Sequence, residues 1–217
     1  MKVLFTLLSL ISLQTCISSS KPLDRETIVW QPTSNPQESL KKAYFASGCF
    51  WCVEAIYESV NGVHEVYSGY AGGHTKNPNY NQISTGKTGH AEAVEVIYDP
   101  NVVSFGTLVQ VFFGSHDPTT ANRQGPDRGS QYRSIAFHQN DSEREIIQNY
   151  IALLEEKEIF SKPIVTEVSA LEKFYYAEEY HQDYEKLNPG NPYVQNVSIP
   201  RLRRFQKAYP ELLKEKH

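Results

Sequence analysis

Val63-His64-Glu65-Val66-Tyr67-Ser68-Gly69-Tyr70 and Ala91-Glu92-Ala93-Val94-Glu95-Val96-Ile97-Tyr98 are two alternating runs. Between them lie only Gly72-Gly73 and a loop-like stretch, Tyr80 to Gly89. Side chains point to opposite faces along a strand, so both runs read as strands. In the second, Val94, Val96 and Tyr98 share one side. Two successive strands with no helix between them argue against a doubly wound parallel sheet. They favour a mixed central sheet with flanking helices, an α/β (α+β) two-layer domain.

Outward from this pair, Lys42 to Ala46 reads as a short buried strand ending at Ser47-Gly48. Cys49 to Val60 then takes helical spacing, with Val53, Ile56, Tyr57 and Val60 on one face. Downstream, Ser104 is placed to cap a helix to about Phe113, and a polar loop with Gly125, Pro126 and Gly129 follows. A strand near Arg133 to Phe137 and a long helix from Asp141 or Ser142 to about Ile159 come next. Pro163 to Val168 reads as a strand and Ala177 to Leu187 as a helix. A terminal amphipathic helix runs from Arg201 to Lys214, loosened around Pro210.

The chain has 217 residues, room for one domain with a real core. It carries a net charge of -4 and shows no basic stripe interleaved with aromatics, which argues against a nucleic-acid partner. Its 14 tyrosines and 10 phenylalanines serve mainly core and sheet packing.

Residues 1–20 read differently. Lys2 precedes an apolar run, Val3 to Leu13, too short to span a bilayer comfortably. This reads as an export signal. Leu13-Gln14-Thr15-Cys16 looks like a bacterial lipobox, in which Cys16 is acylated and anchors the protein to a membrane. Thr15 departs from the small residue usual there, and cleavage after Ser18 or Ser20 is the alternative. Residues 21–38, with Pro22, Pro32 and Pro36, read as a polar spacer, leaving 39–217 as the folded domain. The expected location is a bacterial cell envelope or periplasm.

Cys49 and Cys52 are then the only thiols of the folded part, as Cys49-Phe50-Trp51-Cys52. That spacing supports a redox couple, half a metal site, or a nucleophile with its own resolving thiol. Metal is disfavoured: the seven histidines contain no H-x3–5-H pair and no second C-x-x-C exists. A thioredoxin-like oxidoreductase usually carries its aromatic before the first cysteine; here Phe50 and Trp51 lie between the two. In the first helical turn, free N–H groups and the helix dipole favour a thiolate at Cys49. Glu92 is either solvated or held in a dry pocket that raises its pKa. Arg123 to Arg133 packs donors and acceptors into a loop, readable simply as Arg–Asp pairing.

Four stretches together resemble the A-type peptide methionine sulfoxide reductases: Gly48-Cys49-Phe50-Trp51, Gly86 to Val94, Asp127 to Arg133, and Phe174 to Gln182. The likeness runs from about Lys42 to at least Tyr193, in order. It implies a ferredoxin-like core and reduction of the S epimer of methionine sulfoxide in peptides and proteins. On this reading Cys49 attacks the sulfoxide sulfur, and Glu92 is the acid that protonates the departing oxygen. Tyr80 and Tyr132 hold that oxygen, Phe50 and Trp51 receive the S-methyl group, and Asp127 is a polar, orienting neighbour. A neutral sulfoxide is a poor electrophile until its oxygen is protonated, so a thiolate and a neutral acid are needed together. Turnover leaves Cys49 as a sulfenic acid. Two departures compensate: the family's usual glycine is Cys52, and its usual distal resolving cysteine, after Pro192-Tyr193, is Val194. The disulfide is therefore expected at Cys49–Cys52. No bound cofactor is expected; thioredoxin or another dithiol is the expected reductant, and oxidised peptides and proteins the partners of a monomer. An exported thiol–disulfide oxidoreductase and a non-catalytic module that recognises oxidised methionine are the competing readings.

Overall fold

The computed structural model describes residues 40–215. The expected export signal, its Cys16 and the polar spacer lie outside the described residues.

The sheet grows from the two strands that open the sequence reading. β2 (Val63–Ala71) and β3 (Ala91–Tyr98) pair antiparallel, with Tyr70 opposite Glu92. β1 (Lys41–Ser47) pairs antiparallel with β3 on one side and with β6 (Ser134–His138) on the other. With α1 (Phe50–Glu58) between β1 and β2, and α3 (Phe105–Gly114) between β3 and β6, the chain forms a split βαβ unit; the short β4 (Arg123–Gln124) and β5 (Asp127–Arg128) pair apart from this sheet, and α4 (Asp141–Glu156) follows β6. The four central strands lie in the order β6-β1-β3-β2, the ferredoxin-like arrangement. β7 (Glu167–Ala170) joins parallel to β6, and β8 (Phe174–Tyr176) antiparallel to β2, so the six-stranded sheet is mixed, as expected.

The helices pack on one face. Phe45, Val94 and Val96 meet Val53, Ile56 and Tyr57 of α1 and Leu108 and Phe112 of α3 in one core. Phe45 stacks on Tyr57 at 5.2 Å and Phe112 at 5.3 Å between ring centroids. The opposite face holds a smaller cluster around Ala46, Ala93, Ile135 and Phe137, covered by Leu171 and Phe174. Because Glu92 shares the side of Val94 and Val96 across the pleat, it points into the helical layer. α1 is fixed by its own carboxylate: Glu54 accepts from Ser68 Oγ of β2 and, at 2.5 Å, from the Asp183 backbone N–H.

Several elements differ from the sequence reading. The strand expected over Pro163 to Val168 is β7, which begins only at Glu167, where pairing with β6 starts, and runs to Ala170. The loop before β3 contains a one-turn helix, α2 (Tyr80–Ile83), held by a reciprocal capping box between Asn79 and Gln82. The helix expected over Ala177 to Leu187 is broken into a 3₁₀ turn (Glu179–His181) and the short α5 (Tyr184–Leu187). Asp183 between them is left-handed, φ 53°, and Gln182 bonds the Ser68 backbone at both N–H and C=O. The terminal helix α6 (Ile199–Ala208) starts earlier and ends before Pro210. It follows a π-helical turn over Val194–Ser198, with Val194 fully buried.

Candidate active site

The β1–α1 junction sets the site. Gly48 takes φ +90°, and a Cβ there would stand 2.6 Å from Gln124 Cβ, so the tight approach demands glycine. Cys49 follows as the N-cap of α1, not inside its first turn. The first free N–H of the helix, that of Phe50, does not face a thiolate: it donates to Glu92 Oε2 at 3.1 Å.

Cys49, Phe50, Trp51, Tyr80, Glu92, Asp127 and Tyr132 line one cavity of about 320 Å³. All the residues expected at the site meet there except Cys52. Asn191 and Tyr193, which the sequence reading did not place in the site, complete the lining. The only available hint was the Pro192-Tyr193 pair beside the altered Val194 slot. Cys52 instead lines an adjoining cavity of about 190 Å³, whose wall shares Asp127 and Tyr193 with the first.

The walls are fixed by bonds out of the cavity. Trp51 lies flat on Tyr184, centroids 3.7 Å apart at 8°, and its Nε1–H donates to His181 Nδ1 at 3.1 Å. His181 packs among Phe50, Trp51 and Tyr80, and its Nε2 has no hydrogen-bond partner. The Glu178 carboxylate takes the Tyr80 N–H and the Tyr70 hydroxyl, both at 2.9 Å, which holds α2 against β2. Tyr193 Oη donates to Asp127 Oδ2 at 2.5 Å and lies 4.0 Å from Cys52 Sγ.

Burial sets the charges. Glu92 is 2% exposed, and desolvation pushes its pKa up to about 8; the Phe50 N–H opposes this, and the nearby Asp127 and Cys52 add to it. The dry-pocket alternative for Glu92 is the one observed. Burial likewise raises Tyr132, and Tyr80 to about 12, so both phenols keep their protons. The thiols part company. Burial, then Cys52, push Cys49 well above the ordinary thiol range, while a hydrogen bond from Cys49 brings Cys52 down to about 6. The pair titrates as a unit, with burial disfavouring ionisation at Cys49 and its neighbours favouring it at Cys52. This corrects the expectation of a helix-stabilised thiolate at Cys49. The N-terminal N–H that would hold it is engaged by Glu92, and full burial disfavours charge.

A family model described as peptide methionine sulfoxide reductase matches residues 41–213. A curated peptide methionine sulfoxide reductase MsrA 2 of Synechocystis sp. is 44% identical over 196 residues, spanning 90% of this chain and 92% of that protein. The MsrA of Trichodesmium erythraeum is 49% identical over 164 residues, spanning 76% and 93%. Among solved structures, Mxr1 of Saccharomyces cerevisiae in reduced form aligns with a TM-score of 0.67 at 34% identity, covering 72% of this chain and 90% of that one. Methionine sulfoxide reductase A of Corynebacterium diphtheriae aligns at 0.63 and 37% identity, covering 71% and 77%.

Proposed function

This chain belongs to the peptide methionine sulfoxide reductase family, and from that membership we propose how its residues divide the thiol-dependent reduction of methionine sulfoxide. The observation that carries the proposal is one cavity holding a thiol and a neutral carboxylic acid between aromatic walls.

The sulfoxide's methyl group packs against Phe50 and Trp51, and its oxygen is held by Tyr80 and Tyr132. Cys49 sulfur attacks the sulfoxide sulfur while its proton passes to Cys52 along their shared hydrogen bond. Glu92 gives its proton to the oxygen; with Oε2 engaged by the Phe50 N–H, Oε1 is the oxygen free to carry it. The oxygen transfers to Cys49 as a sulfenic acid and methionine departs. Cys52 then attacks Cys49 sulfur, water leaves, and a Cys49–Cys52 disulfide remains. A thioredoxin-like dithiol returns two electrons and two protons. The chirality of this fixed arrangement favours the S epimer. Asp127, bonded to Tyr193, supports the wall between the two cavities.

The bare C-x-x-C alone fits a general thiol–disulfide oxidoreductase, but family membership sets that reading aside. The test is turnover of a peptide carrying both sulfoxide epimers with dithiothreitol as reductant. Loss of the S epimer alone, with one methionine per dithiol oxidised, supports the scheme; no methionine formed, or equal loss of both epimers, refutes it.

The N-terminal reading is part of the proposal: residues 1–20 direct export, and Cys16 carries the acyl chains that hold the domain at an envelope membrane. Its support is the sequence pattern Leu13-Gln14-Thr15-Cys16 behind a basic and apolar run. Intact mass of the mature protein checks it, because a soluble product starting after Ser18 or Ser20 removes the anchor.

A further inference from the structure

Cys52 faces away from the substrate cavity, into the smaller one, and a buried cation shares that space. Arg201 of α6 is only 7% exposed. Its Nε donates to the Ser115 carbonyl at 2.8 Å and its Nη2 to Ser47 Oγ at 3.2 Å, which pins the guanidinium beneath the β1–α1 junction. Nη1 lies against Gly48, 3.6 Å from where a Cβ would stand. Among the described residues no carboxylate forms an ion pair with it. A buried guanidinium without an anion is strongly disfavoured, so its surroundings must supply one.

Glu92 is neutral by burial. Asp127 lines the same cavity and feels the guanidinium, which opposes the rise that burial imposes on it, but it takes its hydrogen bond from the Tyr193 hydroxyl and forms no ion pair with Arg201. His116, on the Ser115 side of Arg201, is held neutral by burial and by the guanidinium, its pKa lowered to about 3. Arg204 lines the same cavity but is exposed to solvent. Ser198 Oγ donates to Glu185 and Tyr193 Oη to Asp127, and both hydroxyls also help to lower Cys52, behind Cys49 and Arg201. Of the groups around Cys52, Arg201 is the buried cation.

We propose that Arg201 is the counter-ion of Cys52, a positioning residue that keeps the resolving sulfur charged and ready to close the Cys49–Cys52 bond. The proposal rests on the reading of Cys52 as the resolving thiol. In the step it serves, the Cys52 sulfur attacks the sulfur of the Cys49 sulfenic acid. An S–S bond forms, the S–OH bond breaks, and the hydroxide takes up the proton that Cys52 had received from Cys49 and leaves as water. Cys52 is oxidised, and the sulfenic sulfur is reduced to the disulfide level. The lowered pKa of Cys52 agrees, with Arg201 second among the causes that lower it, after Cys49.

The test is the pH dependence of iodoacetamide modification at Cys52 in the full chain, read by peptide-resolved mass spectrometry so that Cys16 does not interfere. Wild type should show a midpoint near 6. Arg201→Gln retains hydrogen-bonding groups but not the charge, and should raise the midpoint by about 1–3 pH units, the usual effect of one adjacent opposite charge. Arg201→Lys should restore it, and Arg204→Gln should leave it unmoved. In single turnovers below pH 7, Arg201→Gln should close the disulfide at least about fivefold more slowly than wild type once methionine has formed. A wild-type midpoint in the ordinary thiol range near 8.5 overturns the proposal whether or not the variants fold. So does an unmoved midpoint in Arg201→Gln. Failure of the wild-type protein to form a Cys49–Cys52 disulfide at all refutes the resolving role of Cys52 instead.

Discussion

Glu92→Gln should make the protein more stable and less active at once, and the structure fixes both magnitudes. In the folded protein Glu92 holds its proton to about pH 8, against an ordinary value of 4.5. A folded-state pKa raised above the unfolded one means that the unfolded chain ionises first as pH rises. The folded state therefore keeps its full stability below about pH 4.5 and loses part of it progressively up to about pH 8. At roughly 1.4 kcal/mol per pH unit, the loss reaches roughly 3 kcal/mol by pH 7. Glutamine cannot ionise, yet its carbonyl oxygen can still accept the Phe50 N–H. Urea denaturation should then show wild type and Glu92→Gln nearly equal at pH 4. At pH 7 the variant should lead by a few kcal/mol. Methionine formation in a single turnover should fall by a factor on the order of 10²–10⁴, the usual contribution of a general acid. The wild-type rate should decline above pH 8 as Glu92 ionises, and the variant should lack that limb. A stability difference that does not change between pH 4 and pH 8 would refute the claim that Glu92 is held neutral. A near-normal single-turnover rate would show that the proton comes from elsewhere, with Tyr80 and Tyr132 next in line.

Cys52→Ser should reduce about one equivalent of substrate and then stall with thioredoxin as donor, whereas Cys49→Ser should form no methionine; normal multiple turnover by Cys52→Ser removes its resolving role. His181→Phe keeps the ring packing but strands the Trp51 indole N–H, at about 1–3 kcal/mol of stability. It should raise KM more than it lowers kcat, and an unchanged KM would show that Trp51 needs no such anchor. Gly48→Ala forces a side chain onto a φ of +90° and against Gln124. A loss of at least about 1–3 kcal/mol in thermal or urea melts is expected, and a neutral result would contradict the close approach.

Where sequence alone sufficed, a local pattern and a tertiary need coincided. The alternating run over Ala91–Tyr98 fixes both the strand and the side on which Glu92 lies, because residues 92, 94 and 96 must share a face. The strand-to-helix step at Gly48-Cys49 was legible for the same reason. Where it failed, long-range bonds overrode periodicity. Ala177–Leu187 has helical composition, yet Gln182 is claimed by the Ser68 backbone and the Asp183 N–H by Glu54, and the helix breaks there. Tyr193 enters the site because a π-helical turn follows it, and no pattern of apolar residues announces such a turn. Arg201 was hidden by its type. It shares the buried face of α6 with Phe205, four residues on, where a cation is seldom found.

That misleading arginine bears on why the thiols could move so close together. Two sulfurs one helical turn apart in a dry site cannot both be charged, and two neutral thiols would resolve a sulfenic acid slowly. The surroundings differ on the two sides of the pair. Toward the substrate stand a protonated acid and two phenols, groups that give protons to a departing oxygen. Toward the smaller cavity stands a guanidinium with no carboxylate partner among the described residues. Charge placed on Cys49 would sit beside the Glu92 carboxyl and raise its pKa further; charge placed on Cys52 lies toward the cation. The same asymmetry serves both half-reactions. Before attack Cys52 can accept the Cys49 proton, and after oxygen transfer it can return as the nucleophile, with Arg201 lowering the penalty of losing the proton a second time.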